Sequence, residues 1–229
     1  MAAYNGEKYI REQIASILPQ LSVDDELLVS DDGSTDGTLD VVRSFGDDRI
    51  RLLEGPRNGI VANFNHLLEN AQGEYIFLSD QDDIWMPTKV ETMLAALQSA
   101  DCVVSDCEVV DGELHTIDAS FYHRNRTRSG RFYNLLIHNG YSGCCMAFNR
   151  RVLERSLPLP ADMPMHDIWI GNVAAFFFTL RFIPEPLIRF RRHGGSASSA
   201  GHKSRFTFSQ KLSIRWRTVR ALWKLRKSK

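Results

Sequence analysis

The chain has 229 residues, of which 43% are hydrophobic, 10% aromatic and 24% charged, a composition that excludes disordered and collagen-like classes and allows one well-buried core without disulfides. The 28 basic residues balance 28 acidic ones overall, but residues 186–229 hold 13 Lys and Arg and no Asp or Glu, leaving 15 basic against 28 acidic residues before them. An acidic body argues against nucleic acid as a partner, and a basic end points to one anionic surface.

From Tyr4 to Asp106, helix-length and strand-length signals alternate. Ile10, Ile14, Ile17, Leu18 and Leu21 recur at helical spacing, and Glu26 to Ser30 is a short apolar run closed by acidic and glycine residues. Ser34 or Thr35 can cap a second helix through Val41 and Val42. A strand follows at Ile50 to Leu53, then a helix from Val61 to Ala71 closed by Gly73. Tyr75 to Leu78 reads as a strand, Pro87 suits the first turn of a helix through Met93 and Leu97, and Cys102 to Ser105 reads as a buried strand. The expected class is α/β, a mostly parallel sheet with helices on both faces. After Asp106 the order is less regular: helix at Tyr133 to His138, extended chain at Cys144 to Phe148, helix at His166 to Phe178, and a strand at Leu187 to Phe190 before a Gly194 to Gly201 loop. The division expected is one catalytic domain over residues 1–200 and a basic amphipathic tail over 201–229.

Other signals bound the setting. The longest apolar stretch, Ile168 to Leu180, is 13 residues long, short of the roughly 20 needed to span a bilayer. The start lacks the charged and then apolar regions of a secretory leader, which favours the cytoplasm. Cys102, Cys107, Cys144 and Cys145 show no paired metal spacing and read as reduced, buried thiols.

Ligands of such a sheet bind beyond the carboxyl ends of its strands, and there the polar clusters fall. Ser30 to Thr38, SDDGSTDGT, places Asp31 and Asp32 at a strand-to-helix turn, where a carboxylate accepts hydrogen bonds from a base imide or ribose hydroxyl, or merely shapes a solvated turn. As a calcium loop it fails, since the twelfth position is Arg43. Ser79 to Trp85, SDQDDIW, crowds Asp80, Asp82 and Asp83 into four positions, a repulsion that a shared Mg2+ or Mn2+ relieves while keeping coordination positions open for phosphate. Asp167, in MHDIW, is either a helix-end dipole partner or a general base beside an acceptor hydroxyl. Arg191 and His193 alternate along a strand, placed to hold a phosphate or help bind a metal.

In this order, YNGEKYI, DDGSTDGT, the DxD-type Asp80 to Asp82, Asp167 and RRHGG at Arg191 to Gly195 resemble the inverting family 2 glycosyltransferases of the GT-A fold over about residues 2–200. SDQDDIW with MHD and Arg-x-His is most similar to bacterial rhamnosyltransferases that extend cell-surface polysaccharides. The resemblance implies a dTDP- or UDP-linked sugar donor, a saccharide acceptor that is lipid-linked, and a metal cofactor. It places Tyr4, Asp31 and Asp32 at the nucleotide, Asp80, Asp82 and His193 at the metal, and Arg191 at the diphosphate. Asp167 becomes the base, with Gly143 and Cys144 near the acceptor or donor sugar. It also implies a first central strand that is nearly absent here, about five apolar residues before Ala2. Two rivals use the same features: a nucleotidyltransferase on the aspartate and metal site, and a non-catalytic module that binds through its tail. In that tail, Phe208, Leu212, Trp216, Leu222 and Trp223 fall largely on one helical face among basic residues, which suits either an anionic membrane surface or packing on the domain.

Overall fold

The computed structural model describes residues 1–194 and 207–227. Its first half follows the alternation of the sequence: β1 (Ala2–Ala3), α1 (Ile10–Ile17, extended by a 3-10 turn to Gln20), β2 (Leu27–Asp31), α2 (Thr38–Arg43), β3 (Ile50–Glu54), α3 (Ile60–Asn70) and β4 (Tyr75–Phe77). Ile10, Ile14 and Ile17 form the fully buried stripe of α1, as their spacing requires. Strands β1, β2 and β3 form a parallel sheet in that order.

The second half holds β5 (Ile84–Trp85), α4 (Lys89–Leu97), β6 (Cys102–Val110), β7 (Thr116–Asp118), α5 (Phe121–Asn125) and α6 (Arg131–Leu136). A 3-10 turn at Gly143–Cys145 then leads into β8 (Met146–Asn149), α7 (Arg150–Ser156), α8 (His166–Phe177), β9 (Leu180–Arg191) and α9 (Phe208–Lys227). Here the sheet runs β4-β8-β6-β9-β5, with β7 on the side of β6. Only β6 and β9 pair in parallel; β4 with β8, β6 with β8, β5 with β9 and β6 with β7 are antiparallel. The architecture is therefore α/β but mixed rather than mostly parallel. The reason is local, because β8 enters directly from a turn beneath β6 and not through a crossover helix. Strand β6 is the spine of this sheet, with eight of its nine residues buried. All four thiols are buried and unbridged.

Two further differences are instructive. Helix α2 starts at Thr38 and not at Ser34 or Thr35, because the Ser34 hydroxyl is engaged by Asp31 and the Thr35 amide by Asn5. Strand β9 is 12 residues long where only its last third reads as a strand, since Pro184 and Pro186 mask the rest. The loop expected from Gly194 to Gly201 lies, beyond Gly194, outside the described residues, as do residues 201–206 of the tail.

The two sheets meet through a single parallel bridge, Ala2 with Asp80. The Met1 ammonium donates to the Leu28 carbonyl at 2.6 Å, continuing the β1–β2 ladder. Behind it a cavity of about 510 Å3 separates β2 from β4, lined by Leu28, Phe64, Leu67, Ile76 and Leu78 among others.

Phe64 joins α3 to the start of α8: it is 2% exposed and its ring stacks on His166 at 3.6 Å between centroids. Phe64→Ala is expected to cost about 3–5 kcal/mol in urea denaturation, the ordinary loss for a buried aromatic. A loss within 1 kcal/mol would show that α3 and α8 do not depend on this contact.

Candidate active site

Two loops build one side of the site. Gly33, with φ +95, sits in a conformation that L side chains rarely adopt, and it turns the chain after β2 back on itself. The Asp31 carboxylate accepts the Gly33 amide at 3.1 Å, the Ser34 amide at 2.9 Å and the Ser34 hydroxyl, so it is spent inside its own loop. Asp32 reaches outward and accepts the Asn58 and Gly59 amides at 3.3 and 2.8 Å, pinning the segment that opens α3. Asp31, 7% exposed, shapes this loop, and Asp32 is the more open of the two carboxylates.

The loop after β1 is stitched to this turn. The Asn5 amide donates to the Ser34 hydroxyl at 2.8 Å, and the Asn5 carboxamide oxygen accepts the Thr35 amide at 2.8 Å. Gly37 donates to Glu7 at 3.0 Å. Tyr4 is clamped from the other direction by Gln81, which accepts the Tyr4 amide and donates to the Tyr4 carbonyl, both at 2.9 Å. That leaves the Tyr4 side chain 57% exposed at the rim. Gln81 was not a candidate from sequence; its signal was its position between Asp80 and Asp82.

The acidic loop between β4 and β5 does not behave as one unit. Asp82 accepts a hydrogen bond from His193 Nε2 at 2.8 Å, and the His193 ring lies 4.5 Å from that of Tyr9, so these two candidates come together. Asp83 turns inward and is fully buried. One of its oxygens accepts the Arg191 amide at 3.0 Å, and the other has no partner. Ligand atoms of Asp80, Asp83 and Cys144 lie within 4.8 Å of one another. Burial first, then Asp82 and Asp167, pushes Asp80 up to about 7; burial, then Asp82 and Asp80, raises Asp83 well above the carboxylate range.

This cluster passes a simple test for a hard divalent cation. Crowded carboxylates, one with an orphaned buried oxygen, are the donor set such an ion takes. The Cys144 thiol is not: its hydrogen bond with Cys145, then burial, raises it well above its ordinary value, and sulfur suits softer metals. Arg191 is tied into the fold at the end of β9. Its guanidinium is 4% exposed, paired with Glu12, bonded to the Gly112 carbonyl at 3.2 Å and set 4.7 Å over the Tyr9 ring. These contacts brace the end of β9 against α1.

Asp167 stands in the first turn of α8, where its carboxylate accepts its neighbour Ile168's amide at 2.6 Å and the Gly143 amide at 3.1 Å. Burial pushes it up to about 6 against those hydrogen bonds. Gly143 is required here, since a Cβ would stand 2.8 Å from His166 Nε2. His166 itself is buried without a hydrogen-bond partner and held neutral, its pKa lowered to about 3 mainly by burial. Lys89, another residue that sequence reasoning missed, is fully buried, donates to the Cys144 carbonyl at 2.7 Å and lies 4.7 Å over the Trp85 ring. It places a cation beneath Asp80 and Asp83 and braces the turn that touches Asp167.

Lys89→Met keeps the volume but leaves the Cys144 carbonyl unpaired, so about 1–3 kcal/mol of stability is expected to be lost. Removing the cation is also expected to move Asp80 further above 7 in a carboxyl NMR titration of metal-free protein. An Asp80 titration that stays in place would remove Lys89 from the electrostatics of the site.

Among curated proteins the chain is 32% identical over 172 residues to the Escherichia coli UDP-Glc:alpha-D-GlcNAc-diphosphoundecaprenol beta-1,3-glucosyltransferase WfgD, covering 72% of this chain and 62% of that one. It is 38% identical over 116 residues to the Shigella flexneri dTDP-rhamnosyl transferase RfbG, covering 46% and 40%. The chain spans about two thirds or less of the length of the curated relatives it matches. Among solved structures, S. aureus TarS 1-349 in complex with UDP-GlcNAc superposes with a TM-score of 0.69 at 17% identity, covering 95% of this chain and 64% of that one. Mycobacterium tuberculosis glucosyl-3-phosphoglycerate synthase with Mn2+ and UDP gives 0.59 at 19% identity, covering 98% and 77%. These likenesses show the GT-A fold. With the glycosyl transferase family 2 model matched over residues 1–157, the chain belongs to that family.

Proposed function

We propose that this chain is a metal-dependent inverting glycosyltransferase that moves a sugar from a nucleoside diphosphate to a hydroxyl of a growing saccharide. The observation that carries it is the convergence of Asp167, from the start of α8, on the Asp80 and Asp83 cluster: its carboxylate accepts the Gly143 amide, and the thiol of the adjoining Cys144 lies within 4.8 Å of ligand atoms of Asp80 and Asp83. The two carboxylate sets are close enough for Asp167 to raise the pKa of Asp80. One set suits a leaving diphosphate and its cation, the other an attacking hydroxyl.

Asp167, fixed by the Gly143 and Ile168 amides, takes the proton of the acceptor hydroxyl as its oxygen bonds to the anomeric carbon. The bond from that carbon to the diphosphate breaks on the opposite side, which inverts the centre. Asp80, Asp82 and Asp83 would hold Mg2+ or Mn2+, with His193 orienting Asp82. A cation there offsets charge on the leaving diphosphate. Tyr4 and Asp32 flank the nucleotide on a loop that Asp31 shapes, and Gly143 and Cys144 border the sugar. The reacting residues all fall within 1–200, and the basic segment 201–229 serves attachment.

The names of the relatives support a dTDP- or UDP-linked donor, and the RfbG likeness favours rhamnose. The WfgD likeness supports an acceptor carried on a lipid diphosphate, and in this reading the enzyme meets it at a membrane surface. No helix among the described residues is long and apolar enough to cross a membrane.

Donor screening with UDP- and dTDP-sugars should release nucleoside diphosphate; release of pyrophosphate instead would favour a nucleotidyltransferase. Asp167→Asn is expected to lower turnover by about two to four orders of magnitude while donor affinity stays within a few fold. Because the base must be ionised, turnover should fall as pH drops through about 6, by roughly ten-fold at pH 5, and level off above 7. Turnover that does not fall at all between pH 7 and pH 4 would refute the assignment. Asp82→Asn and Asp83→Asn should each weaken Mn2+ binding, read by calorimetry; unchanged titrations in both would remove the metal from this loop.

A further inference from the structure

Helix α9 is amphipathic in a way that neither of the two arrangements expected from sequence describes alone. Its inner face packs on α8 and α6 through Thr218 and Leu222, which are 1% and 7% exposed. Arg217 donates to the Asp162 carbonyl at 2.6 Å, Arg215 to the Ile137 carbonyl at 2.7 Å, and Arg155 from α7 to the Leu225 carbonyl at 2.6 Å. The helix is therefore fixed on the body by one side. Its other side carries Phe208, Leu212, Trp216 and Trp223, which are 78%, 56%, 68% and 58% exposed. Next to it, the end of α6 leaves Leu136 and Ile137 49% and 64% exposed.

Large apolar side chains left outside by a helix that is already docked need an occupant. Charge selects it. Helix α9 carries seven Lys and Arg residues and no acidic one, on a body that is otherwise acidic. Arg220, between the two tryptophans in sequence, and Lys224, next to Trp223, are both exposed, and Lys227 covers the Trp223 ring at 3.6 Å. A nucleic acid would meet the acidic body and find an apolar stripe in place of a basic groove. Indole rings among basic residues suit the boundary between headgroups and acyl chains, where each basic residue near an anionic leaflet adds about five-fold in affinity.

We infer that the outward side of α9, with the adjoining end of α6, is the seat of this protein on an anionic bilayer. This rests on, and deepens, the reading of the acceptor as lipid-linked. The seat also sets a distance. Helix α9 grips Asp162 and Met163, and Met163 is four residues before Asp167, so the chain between them spans at most about 15 Å. Seating α9 brings the acceptor side of the site close to the headgroups.

The experiment uses the full chain with phosphatidylglycerol and phosphatidylcholine vesicles at low and high salt. Of the four tryptophans, Trp85 and Trp169 are buried, so quenching by brominated lipid reports on Trp216 and Trp223. The unaltered chain should bind phosphatidylglycerol vesicles in a salt-sensitive way and be quenched. The Trp216→Ser, Trp223→Ser variant should lose quenching and at least about ten-fold in affinity, and Arg220→Gln, Lys224→Gln should lose about twenty-five-fold on anionic vesicles only. Transfer to a water-soluble acceptor should be unchanged in both variants, which separates loss of the seat from loss of the reaction. Binding indifferent to lipid charge, absence of quenching, or a dimer that the Trp216→Ser, Trp223→Ser variant disperses would overturn the seat, the last by making a second copy its occupant.

Discussion

The rest of the structure depends on one electrostatic constraint: several carboxylates are held close together where water has little access. Asp80, Asp82 and Asp83 repel one another, Asp167 adds to the field at Asp80, and burial penalises ionisation of each buried member. Without a cation, the chain relieves this in three ways. Asp82 pairs with His193, Asp83 accepts the Arg191 amide, and Lys89 places a buried ammonium nearby. What remains unsatisfied, the second oxygen of Asp83 and the raised Asp80, is the part that a divalent ion would complete.

Holding charges in such a place requires rigid support, and the hydrogen-bond pattern supplies it. The loops after β1 and β2 exchange bonds through Asn5, Ser34, Thr35 and Glu7, and Gln81 ties Tyr4 to the acidic loop. On the opposite side Lys89 fixes the Gly143–Cys145 turn, which in turn donates to Asp167. A ligand spanning the site would thus meet groups whose positions are set before it arrives, the condition under which electrostatic stabilisation is effective.

The tail couples this site to its surroundings. Helix α9 grips the segment leading to Asp167 by backbone carbonyls and side-chain packing, so its position and that of the carboxylate are mechanically linked. The same helix keeps its tryptophans outward, dividing its apolar residues between two different solvents.

The sequence by itself determined the alternation of the first half, because periods of 3.6 and 2 are written in residues such as Ile10, Ile14 and Ile17, and it located the acidic loops at strand ends. It also marked Asp80, Asp82, Asp167 and His193 as candidates by residue type and spacing. It left undecided what each carboxylate faces. Asp31 and Asp32 are adjacent and chemically identical, yet one closes its own turn and the other crosses to Gly59. The pairing of the Arg191 guanidinium with Glu12 and its stacking on Tyr9, about 180 positions earlier, lie beyond any local pattern. Lys89 carries no signal in its local sequence, and only its burial against Trp85 and the Cys144 carbonyl makes it a counter-charge. Local spacing encodes which elements form, since the forces involved act within a few residues. Orientation, desolvation and pairing depend on contacts between distant segments, and these only the tertiary structure decided.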